Sequence, residues 1–318
     1  MIDIIVVNLN TGDQLINLIL SIKKHHAGLV ASVIIVDNGS WDNSMDLLHE
    51  KSGDLPFAVH VFHNDDNLGF AAACNQGAAK TTADYILFLN PDTRLLDNSL
   101  KVPLLFMEKP GNEAVGIVGI QLLDENDRLT KTCSYFPKLS HFVNKALGLD
   151  RLAPDYFLTG FMLDWDHKTS RRVDVVMGAF YLVRRSFFEA LGGFDERFFV
   201  YFEEGDFALR ARLAGYETYY LSEAQAYHRG CGASDQLKVK RLFFSWQSRI
   251  RYAYKHFGWT KANLLLFVTL FIEPFSRMVA NAANGSLLEL KETLHGYILL
   301  WRSLPSTLRS WKRTISNG

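Results

Sequence analysis

Short apolar runs alternate with helical patterns along the first half of the chain. Residues 4–8 and 33–36 predict buried strands, and each is followed by an amphipathic pattern typical of a helix. Residues 57–63 alternate apolar and polar side chains, and an alanine-rich helix is predicted at about 67–79. This strand–helix rhythm with short loops predicts a parallel sheet wrapped by helices.

The apolar run at residues 86–89 is the centre of this pattern. It stops abruptly at Asn90-Pro91-Asp92. Such a run predicts a strand buried on both faces, in the middle of the sheet. Proline ends the strand because it has no N–H for the ladder. Asp92 would then lie just beyond the carboxyl edge of a central strand, where open α/β sheets bind ligands, and would serve as a metal ligand. A capped turn is the alternative interpretation of this stretch alone.

Two later stretches carry further signals. Residues 175–183 predict a buried strand broken by Gly178 and Ala179, as where a ligand or another backbone approaches closely. Residues 217–221 predict another strand, and His228 follows in a glycine-rich loop beside an arginine. Backbone amides and cations in such a loop can bind phosphate, although a lone histidine is more often structural.

An aromatic-rich stretch at residues 194–202 runs directly into Glu203, Glu204 and Asp206 at a predicted helix start. The helix dipole favours acids in a first turn, which is one interpretation. The other is that one carboxylate lies beside a partly apolar pocket and acts as a general base. We favour the second, because charge beside so many aromatic rings is otherwise costly.

The first strand does not lead into the glycine-rich turn of a dinucleotide-binding fold. It runs into Asn8 and Asn10, without the G-x-G-x-x-G spacing that brings backbone close to a pyrophosphate. The turn Asp37-Asn38-Gly39-Ser40 after the second strand offers another way to hold a nucleotide. Asp37 would accept a hydrogen bond from an N–H of a pyrimidine base, and Asn38 would hydrogen-bond to an adjacent edge of the same base. For this motif alone, a simple turn with a helix cap is the alternative.

Composition places the chain among ordinary globular proteins. Its 318 residues are 48% hydrophobic and 21% charged, enough for one large domain or a domain with an appendage. The three cysteines show neither metal-ligand spacing nor a disulfide framework, which favours a reducing cytoplasm. The chain opens on a strand-like run without a basic segment, so no signal peptide is expected.

The zero formal net charge hides an asymmetry between the body and the tail. From Gln236 onward there are 13 Lys/Arg and 3 Asp/Glu, a surplus of +10 that the rest of the chain balances. The tail is predicted to be helical, and its apolar run at 263–272 is shorter than the roughly 20 residues of a spanning helix. We expect an interfacial helix on an anionic membrane, or a packed hairpin that joins a second subunit. Nucleic acid is not an expected partner, because no binding motif is present.

The ordered set of these motifs resembles that of a family 2 glycosyltransferase with the GT-A fold, close to the bacterial rhamnosyltransferase group. The resemblance covers roughly residues 2–234, and its markers also include Asn67-Leu68-Gly69-Phe70 with Asn75. It implies an α/β fold with a mostly parallel central sheet in a catalytic domain at 1–234, followed by a C-terminal helical region at 235–318.

The resemblance also implies roles for single residues. Asp37 would bind the pyrimidine base. Asp92 matches the last acid of the D-x-D motif, which holds a divalent cation (Mg²⁺ or Mn²⁺) on the nucleotide diphosphate, and His228 matches a histidine that completes the metal site. Glu204 matches the general base of an inverting reaction, with Glu203 as its rival. The implied nucleotide-sugar-binding set is Asn8, Asn10, Asp37, Asn38, Asn67, Gly69, Asn75, Asn90, Asp92, Gly178 and Ala179.

Three departures from the family pattern bear on the donor. Asn90 replaces the first acid of D-x-D, and Glu204 stands where many members carry Asp. Cys74 occupies the position before Asn75 where UDP-sugar polysaccharide synthases often carry Arg. The first and third departures point away from those synthases and towards users of dTDP-rhamnose.

The resemblance therefore implies a metal-dependent, inverting transfer of a sugar, foremost L-rhamnose from dTDP-rhamnose, to a hydroxyl of a lipid-linked glycan. The reaction would serve cell-surface polysaccharide synthesis in the cytoplasm, at the inner face of the membrane. A UDP-hexose or UDP-N-acetylhexosamine transferase of the same fold is one alternative, and a non-catalytic sugar-nucleotide-binding module is another. The presence of Asp37, Asp92, Glu204 and His228 argues against the module.

Overall fold

The computed structural model describes residues 1–153, 156–230, 238–283 and 285–315. The chain divides into two compact units. The first is formed by Met1–Phe136, Phe161–Glu196 and Glu203–Ala233, and the second by Pro137–Gly160, Arg197–Phe202 and Ser234–Gly318. The boundary expected between residues 234 and 235 lies outside the described residues.

The first unit is built on one mixed sheet. Its strands within the described ranges are β1 (Ile2–Asn8), β2 (Val30–Asp37), β3 (Ala58–His63), β4 (Tyr85–Leu89), β5 (Thr93–Leu95), β6 (Val115–Leu123), β7 (Leu129–Thr130), β8 (Arg171–Val173), β9 (Phe180–Arg184) and β10 (Glu217–His228). The sheet order is β3-β2-β1-β4-β9-β6-β10-β5, with β7 beside β6 and β8 beside β10. Strands β1 to β4 pair in parallel, whereas β9 is antiparallel to both neighbours. The predicted α/β class is confirmed, with a sheet that is mixed and mostly parallel.

Helices of the first unit cover both faces of this sheet. The helices of the described chain are α1 (Gln14–His26), α2 (Ser44–Lys51), α3 (Phe70–Ala78), α4 (Lys101–Glu108), α5 (Leu139–Leu147), α6 (Leu149–Leu152), α7 (Arg185–Ala190), α8 (Glu203–Leu213), α9 (Lys238–His256), α10 (Trp259–Phe267), α11 (Glu273–Ala283) and α12 (Leu287–Ile315). Ile4 of β1 lies in a core with Leu15 of α1, whereas Ile5 faces a second core with Ala71 of α3. Because successive strand residues face opposite cores, these strands are continuous apolar runs in the sequence.

Strand β4 is central, as predicted. It pairs with β1 on one side and β9 on the other, and all five of its residues are buried. Asn90 follows it directly and ends the strand, so that Asp92 lies past the carboxyl end of a central strand.

Two predictions for the second half are wrong. The strand predicted at 175–183 is only Phe180–Arg184, and Val175 makes an isolated bridge with Ser134 instead. His228 does not lie in a loop but ends β10, opposite Thr93 of β5. Strand β10 continues past residue 221 because its irregularity before Gln225 restores its pairing with β6. The remainder of the predicted glycine-rich loop, residues 231–234, lies outside the described residues.

The second unit is helical and has its own core. Phe142 of α5, Trp246 of α9 and Tyr297 of α12 are buried together. Beside them Glu273 is fully buried, where it accepts a hydrogen bond from Trp246 Nε1 (3.1 Å) and pairs with Arg249 and Arg277. Burial opposes the charged form of Glu273, but the two guanidinium groups keep its pKa below the usual value.

Helices α10 and α11 are joined by one π-helical turn, Val268–Ile272, into a continuous helical stretch. Within the described ranges, one candidate for crossing a membrane by length and composition is Trp259–Ala282, of 24 residues, whose most apolar window is 33% buried. The sequence alone indicates an apolar run too short to span. The structure shows that this run is part of a longer helix, although one such helix is weak support for a crossing.

Candidate active site

The carboxyl ends of β1, β2 and β3 bring three polar side chains into one row. Asn8 pairs in register with Asp37, and Asp37 pairs in register with His63. Nδ2 of Asn8 donates to Oδ1 of Asp37 over 2.9 Å, and Nδ1 of His63 lies 3.2 Å from Oδ2 of Asp37. Asp37 is buried, so its carboxylate is held from both sides at the edge of the sheet.

Asn8 and Asn10 shape the turn that follows β2. Nδ2 of the buried Asn8 also lies 3.0 Å from the Ser40 hydroxyl oxygen and 2.9 Å from that of Ser44. Oδ1 of Asn10 accepts a hydrogen bond from the Trp41 N–H over 2.9 Å, and its φ of 53° is a left-handed value that asparagine tolerates well. Asn8 therefore lies beside Asp37, whereas Asn10 holds the turn that follows β2, and both side-chain amides are engaged within the protein.

Asn38, Asn67 and Gly69 form the loop that leads into α3. Nδ2 of Asn38 donates to Oδ1 of Asn67 over 2.9 Å, and Oδ1 of Asn38 accepts from the Leu68 N–H over 3.1 Å. Gly69 has a φ of 92°, which favours glycine. The structure brings these three predicted residues together. The side chain of Asn38 holds the loop in place through these hydrogen bonds.

Asn75 links α3 to the turn before residue 196. Its Nδ2 donates to the Phe194 carbonyl (2.8 Å) and to Glu196 (3.0 Å), and its Oδ1 accepts from the Phe194 N–H (2.9 Å). Gly193 passes so close that an added Cβ would lie 2.7 Å from this Oδ1. These bonds give Asn75 a structural role, and its predicted contact with the donor stays a prediction.

Asp92 and His228 meet at the end of the central strand. Nε2 of His228 lies 3.4 Å from Oδ1 of Asp92, and their side chains are only 12% and 10% exposed. The backbone fixes this pair, because the Arg229 N–H donates to the Asp92 carbonyl over 3.1 Å. The antiparallel pairing of β5 with β10 thus places the two predicted metal ligands side by side.

This pair fits a divalent cation. A carboxylate oxygen and an imidazole nitrogen are suitable donors for Mn²⁺, and a carboxylate suits Mg²⁺. Among the residues described, no group of three or more His, Cys, Asp or Glu is arranged to hold a metal. The protein would therefore supply two ligands, and the oxygens of a bound diphosphate would supply others.

Gly178 and Ala179 connect the end of β4 with the start of α8. The Asn90 N–H donates to the Ala179 carbonyl over 3.1 Å. A Cβ added to Gly178 would lie 3.9 Å from Cβ of Glu204, so the Glu204 side chain leaves the helix beside this glycine. The pair therefore places the predicted base next to the segment that follows the central strand.

Glu203 and Glu204 lie in the first turn of α8, where Glu203 is buried and Glu204 is half-buried. In each, Oε2 is buried without a hydrogen-bond partner among the described residues. Burial raises the pKa of both carboxyl groups, and the charge of Glu204 raises the pKa of Glu203 further. A carboxyl group with a raised pKa in an unpartnered, buried position has the character required of a general base.

Asp206 is not part of this pair. It accepts a hydrogen bond from Arg210 Nε over 2.9 Å, and Arg210 also donates to the carbonyl groups of Leu191 and Gly193. The third acid of the motif thus ties α8 to the turn that precedes it.

A cavity of about 1,210 Å³ borders Asp92 on the side of α1 and β5. Asn17, Arg94, Tyr227 and Arg229 contribute to its lining, whereas Asp37 and Glu204 do not. Arg94 lies over the Tyr227 ring, 4.7 Å from its centroid. The cavity is therefore adjacent to Asp92 but does not include the whole set of predicted residues.

Two residues near the site carry no signal in the sequence. His63 ends an alternating strand and reaches Asp37 only through the pairing of β2 with β3. Tyr181 in β9 donates its hydroxyl to the Glu204 carbonyl over 3.3 Å. Both contacts join distant parts of the chain, so neither local periodicity nor motif spacing could indicate them.

The mixed, mostly parallel sheet of the first unit, with its helices, has the GT-A fold. The chain belongs to glycosyl transferase family 2, whose family model matches residues 3–192.

Two curated relatives are rhamnosyltransferases. One is the N-acetylglucosaminyl-diphospho-decaprenol L-rhamnosyltransferase of Mycobacterium tuberculosis, 25% identical over 253 residues, which cover 73% of this chain and 78% of the relative. The other is rhamnosyltransferase WbbL of Escherichia coli, 30% identical over 175 residues, which cover 54% and 61%. The chain is thus rhamnosyltransferase-like.

Solved structures support the fold. The mannosyltransferase PcManGT from Pyrobaculum calidifontis, in complex with GDP-Man and Mn²⁺, has a TM-score of 0.56 at 15% identity and covers 98% of this chain and 82% of its own. Residues 1–349 of TarS from S. aureus have a TM-score of 0.51 at 14% identity, with coverage of 97% and 91%.

Proposed function

We propose that this chain transfers L-rhamnose from dTDP-rhamnose to a hydroxyl group of a lipid-linked glycan, with inversion at the anomeric carbon. The observation that carries the proposal is the Asp92–His228 pair beyond the central strand, in the same unit as the acids of α8. The naming of two relatives as rhamnosyltransferases supports the choice of sugar, and one of them acts on a diphospho-decaprenol glycan.

The residues of the site would divide the reaction between them. Asp37 would hold the nucleobase at the end of β2, and Asp92 and His228 would hold a divalent cation. When bound, that cation supplies positive charge to the diphosphate leaving group. Glu204 takes the proton of the acceptor hydroxyl on its unpartnered Oε2, which makes the oxygen nucleophilic.

The transfer is a single displacement at the anomeric carbon, in which one bond forms as another breaks. The acceptor oxygen forms a bond to the anomeric carbon while the bond from that carbon to the phosphate oxygen breaks. The electron pair of the broken bond leaves with the nucleoside diphosphate, and the proton stays on Glu204. Attack from the face opposite the leaving group inverts the anomeric centre.

We assign the catalytic domain to residues 1–234 and a membrane-associating role to residues 235–318. Exposed apolar side chains of the second unit support this, since Leu264, Phe267, Phe271 and Phe275 are each at least half exposed on one helical stretch. The basic surplus of the tail complements an anionic leaflet. The enzyme would then work in the cytoplasm, at the inner face of the membrane, during cell-surface polysaccharide synthesis.

The test is a donor screen on the purified protein. Thermal unfolding is followed with dTDP-, UDP- and GDP-sugars, with and without Mn²⁺, and transfer is assayed on a polyprenyl-diphosphate acceptor. Stabilisation and turnover with dTDP-rhamnose are expected, and EDTA should abolish turnover. Turnover with a UDP-hexose or UDP-N-acetylhexosamine alone would replace the donor assignment, and binding without turnover of any donor would favour a non-catalytic module.

A further inference from the structure

His63 is the most exposed member of the row at the carboxyl ends of β1, β2 and β3. Its side chain is 63% exposed, whereas that of Asp37 is only 7% exposed. One ring nitrogen, Nδ1, is tied to Asp37, and Nε2 makes no hydrogen bond to any residue in the described part of the chain. The ring is thus open to solvent on one side while its other nitrogen contacts a buried carboxylate.

The backbone next to His63 is firmly held. The Asn64 N–H donates to the Asp37 carbonyl over 2.9 Å. The side chains of Asn64 and Gln76 exchange two hydrogen bonds of 2.9 and 3.0 Å, and Asn64 also donates to Asn38 over 3.1 Å. These bonds fix the end of β3, so the contact between His63 and Asp37 does not depend on a mobile loop.

The contacts with Asn8 and His63 leave Asp37 able to accept further hydrogen bonds from N–H donors of a ligand. Asn8 donates to Oδ1 and His63 to Oδ2, so each oxygen already has one donor and the plane of the carboxylate is fixed. An ionised carboxylate only accepts hydrogen bonds, and each oxygen has a lone pair left. Uracil and thymine present a ring N–H at N3, and guanine presents one at N1. Cytosine N3 and adenine N1 are acceptors and would be repelled.

We propose that His63 is a positioning residue for nucleobase selection, which fixes the Asp37 carboxylate so that the site accepts uracil, thymine and guanine and rejects cytosine and adenine. The inference rests on the proposed function, because it assumes that the ligand is a nucleoside diphosphate. Without His63, Oδ2 of Asp37 would be hydrated and its carboxylate held only by Asn8. A rotated carboxylate would keep its charge but lose its alignment with the ring N–H.

The experiment is calorimetric titration of full-length protein with UDP, dTDP, GDP and CDP in the presence of Mn²⁺. Wild-type protein should bind the first three at least tenfold more tightly than CDP. His63→Ala should weaken UDP and dTDP about five- to twentyfold and leave CDP unchanged. His63→Gln, which retains an N–H donor, should recover UDP binding to within about threefold. His60→Ala, an exposed position on the same strand, should behave as wild type.

A modified ligand separates positioning from a general structural effect. N3-methyl-UDP lacks the ring N–H, so wild-type protein should bind it weakly, and His63→Ala should cause no further loss. Equal weakening of UDP and CDP by His63→Ala, or unchanged UDP affinity in that variant, would overturn the inference and leave the proposed function standing. Failure of wild-type protein to bind any of the four nucleotides would overturn the proposed function and this inference with it.

Discussion

Oδ1 of Asp92 lies 3.4 Å from Nε2 of His228, although the first residue follows β4 and the second ends β10. Neither side chain is more than 12% exposed. A carboxylate and an imidazole this close, at the end of a central strand, need only small movements to share one cation. The relationship gives the metal hypothesis a geometric basis that the sequence motif alone lacks.

Asp92→Asn should abolish the metal requirement together with nearly all turnover, because the amide removes the negative charge that holds the cation. Mn²⁺ titration in the presence of dTDP should show the loss of binding independently of activity. Asp97→Asn is the matched control, since the Asp97 side chain is 91% exposed and pairs with His25. Full activity of Asp92→Asn, or wild-type turnover undiminished by EDTA, would contradict the metal assignment.

Glu204→Gln should lower kcat by roughly 10²–10⁴, the usual contribution of a positioned base, with donor affinity within a few-fold. Glu203→Gln should keep kcat within a few-fold. Burial, reinforced by the charge of Glu204, raises the pKa of Glu203 and so favours its protonated form, which the uncharged amide resembles. Single-turnover kinetics of both variants measure the difference. An inactive Glu203→Gln beside an active Glu204→Gln would exchange the two roles.

The raised pKa of Glu203 also predicts how stability depends on pH. Between its ordinary value of 4.5 and the higher pKa of the folded state, the folded protein keeps a proton that the unfolded chain has lost. Stability therefore falls as pH rises through this window. Glu203→Gln should raise the thermal midpoint at pH 7 but not below pH 4.5. The exposed Glu108→Gln serves as control. A stability gain for Glu203→Gln that does not change with pH would contradict this linkage.

Gly193→Ala should destabilise the protein more than Gly192→Ala. The two glycines have nearly equal φ values, 70° and 73°, so alanine is strained at both, by roughly 1–2 kcal/mol. Only at Gly193 would the new Cβ meet another atom, Oδ1 of Asn75 at 2.7 Å, where crowding adds about 1–3 kcal/mol. Thermal unfolding of the two variants isolates this contact. Equal destabilisation would show that Asn75 moves aside without cost.

The sequence predicts correctly the location of residues whose position depends on the order of strands and turns nearby along the chain. Asp37 and Asp92 follow apolar runs and precede turns, so the ends of their strands locate them. His228 was misplaced because β10 continues only by virtue of its pairing with β5 and β6. His63 could not be predicted as a neighbour of Asp37, since the register of parallel strands is set by contacts across the sheet rather than along the chain.

Replacing Phe267, Phe271 and Phe275 together by serine should sharply reduce binding to anionic vesicles. These rings are 52%, 63% and 67% exposed and follow one another at intervals of four across the π-helical turn. Residues four apart lie on the same face of a helix, and the Phe267 and Phe271 ring centroids are 5.3 Å apart. Full burial of each ring is worth about 1.5–3 kcal/mol, so the loss should exceed tenfold in affinity.

Flotation with anionic and neutral vesicles at low and high salt measures this binding. Each basic residue near an anionic surface contributes roughly 1 kcal/mol, and salt screens that part. Insertion of the phenylalanine rings is not screened, so wild-type binding should weaken at high salt without vanishing. Leu105→Ser with Leu213→Ser, at exposed positions of the first unit, is the control for general loss of apolar surface. Failure of the full-length protein to float with either vesicle at low salt would remove the membrane proposal. A sedimentation shift to dimers that the triple serine variant reverses would then assign the same face to a second subunit.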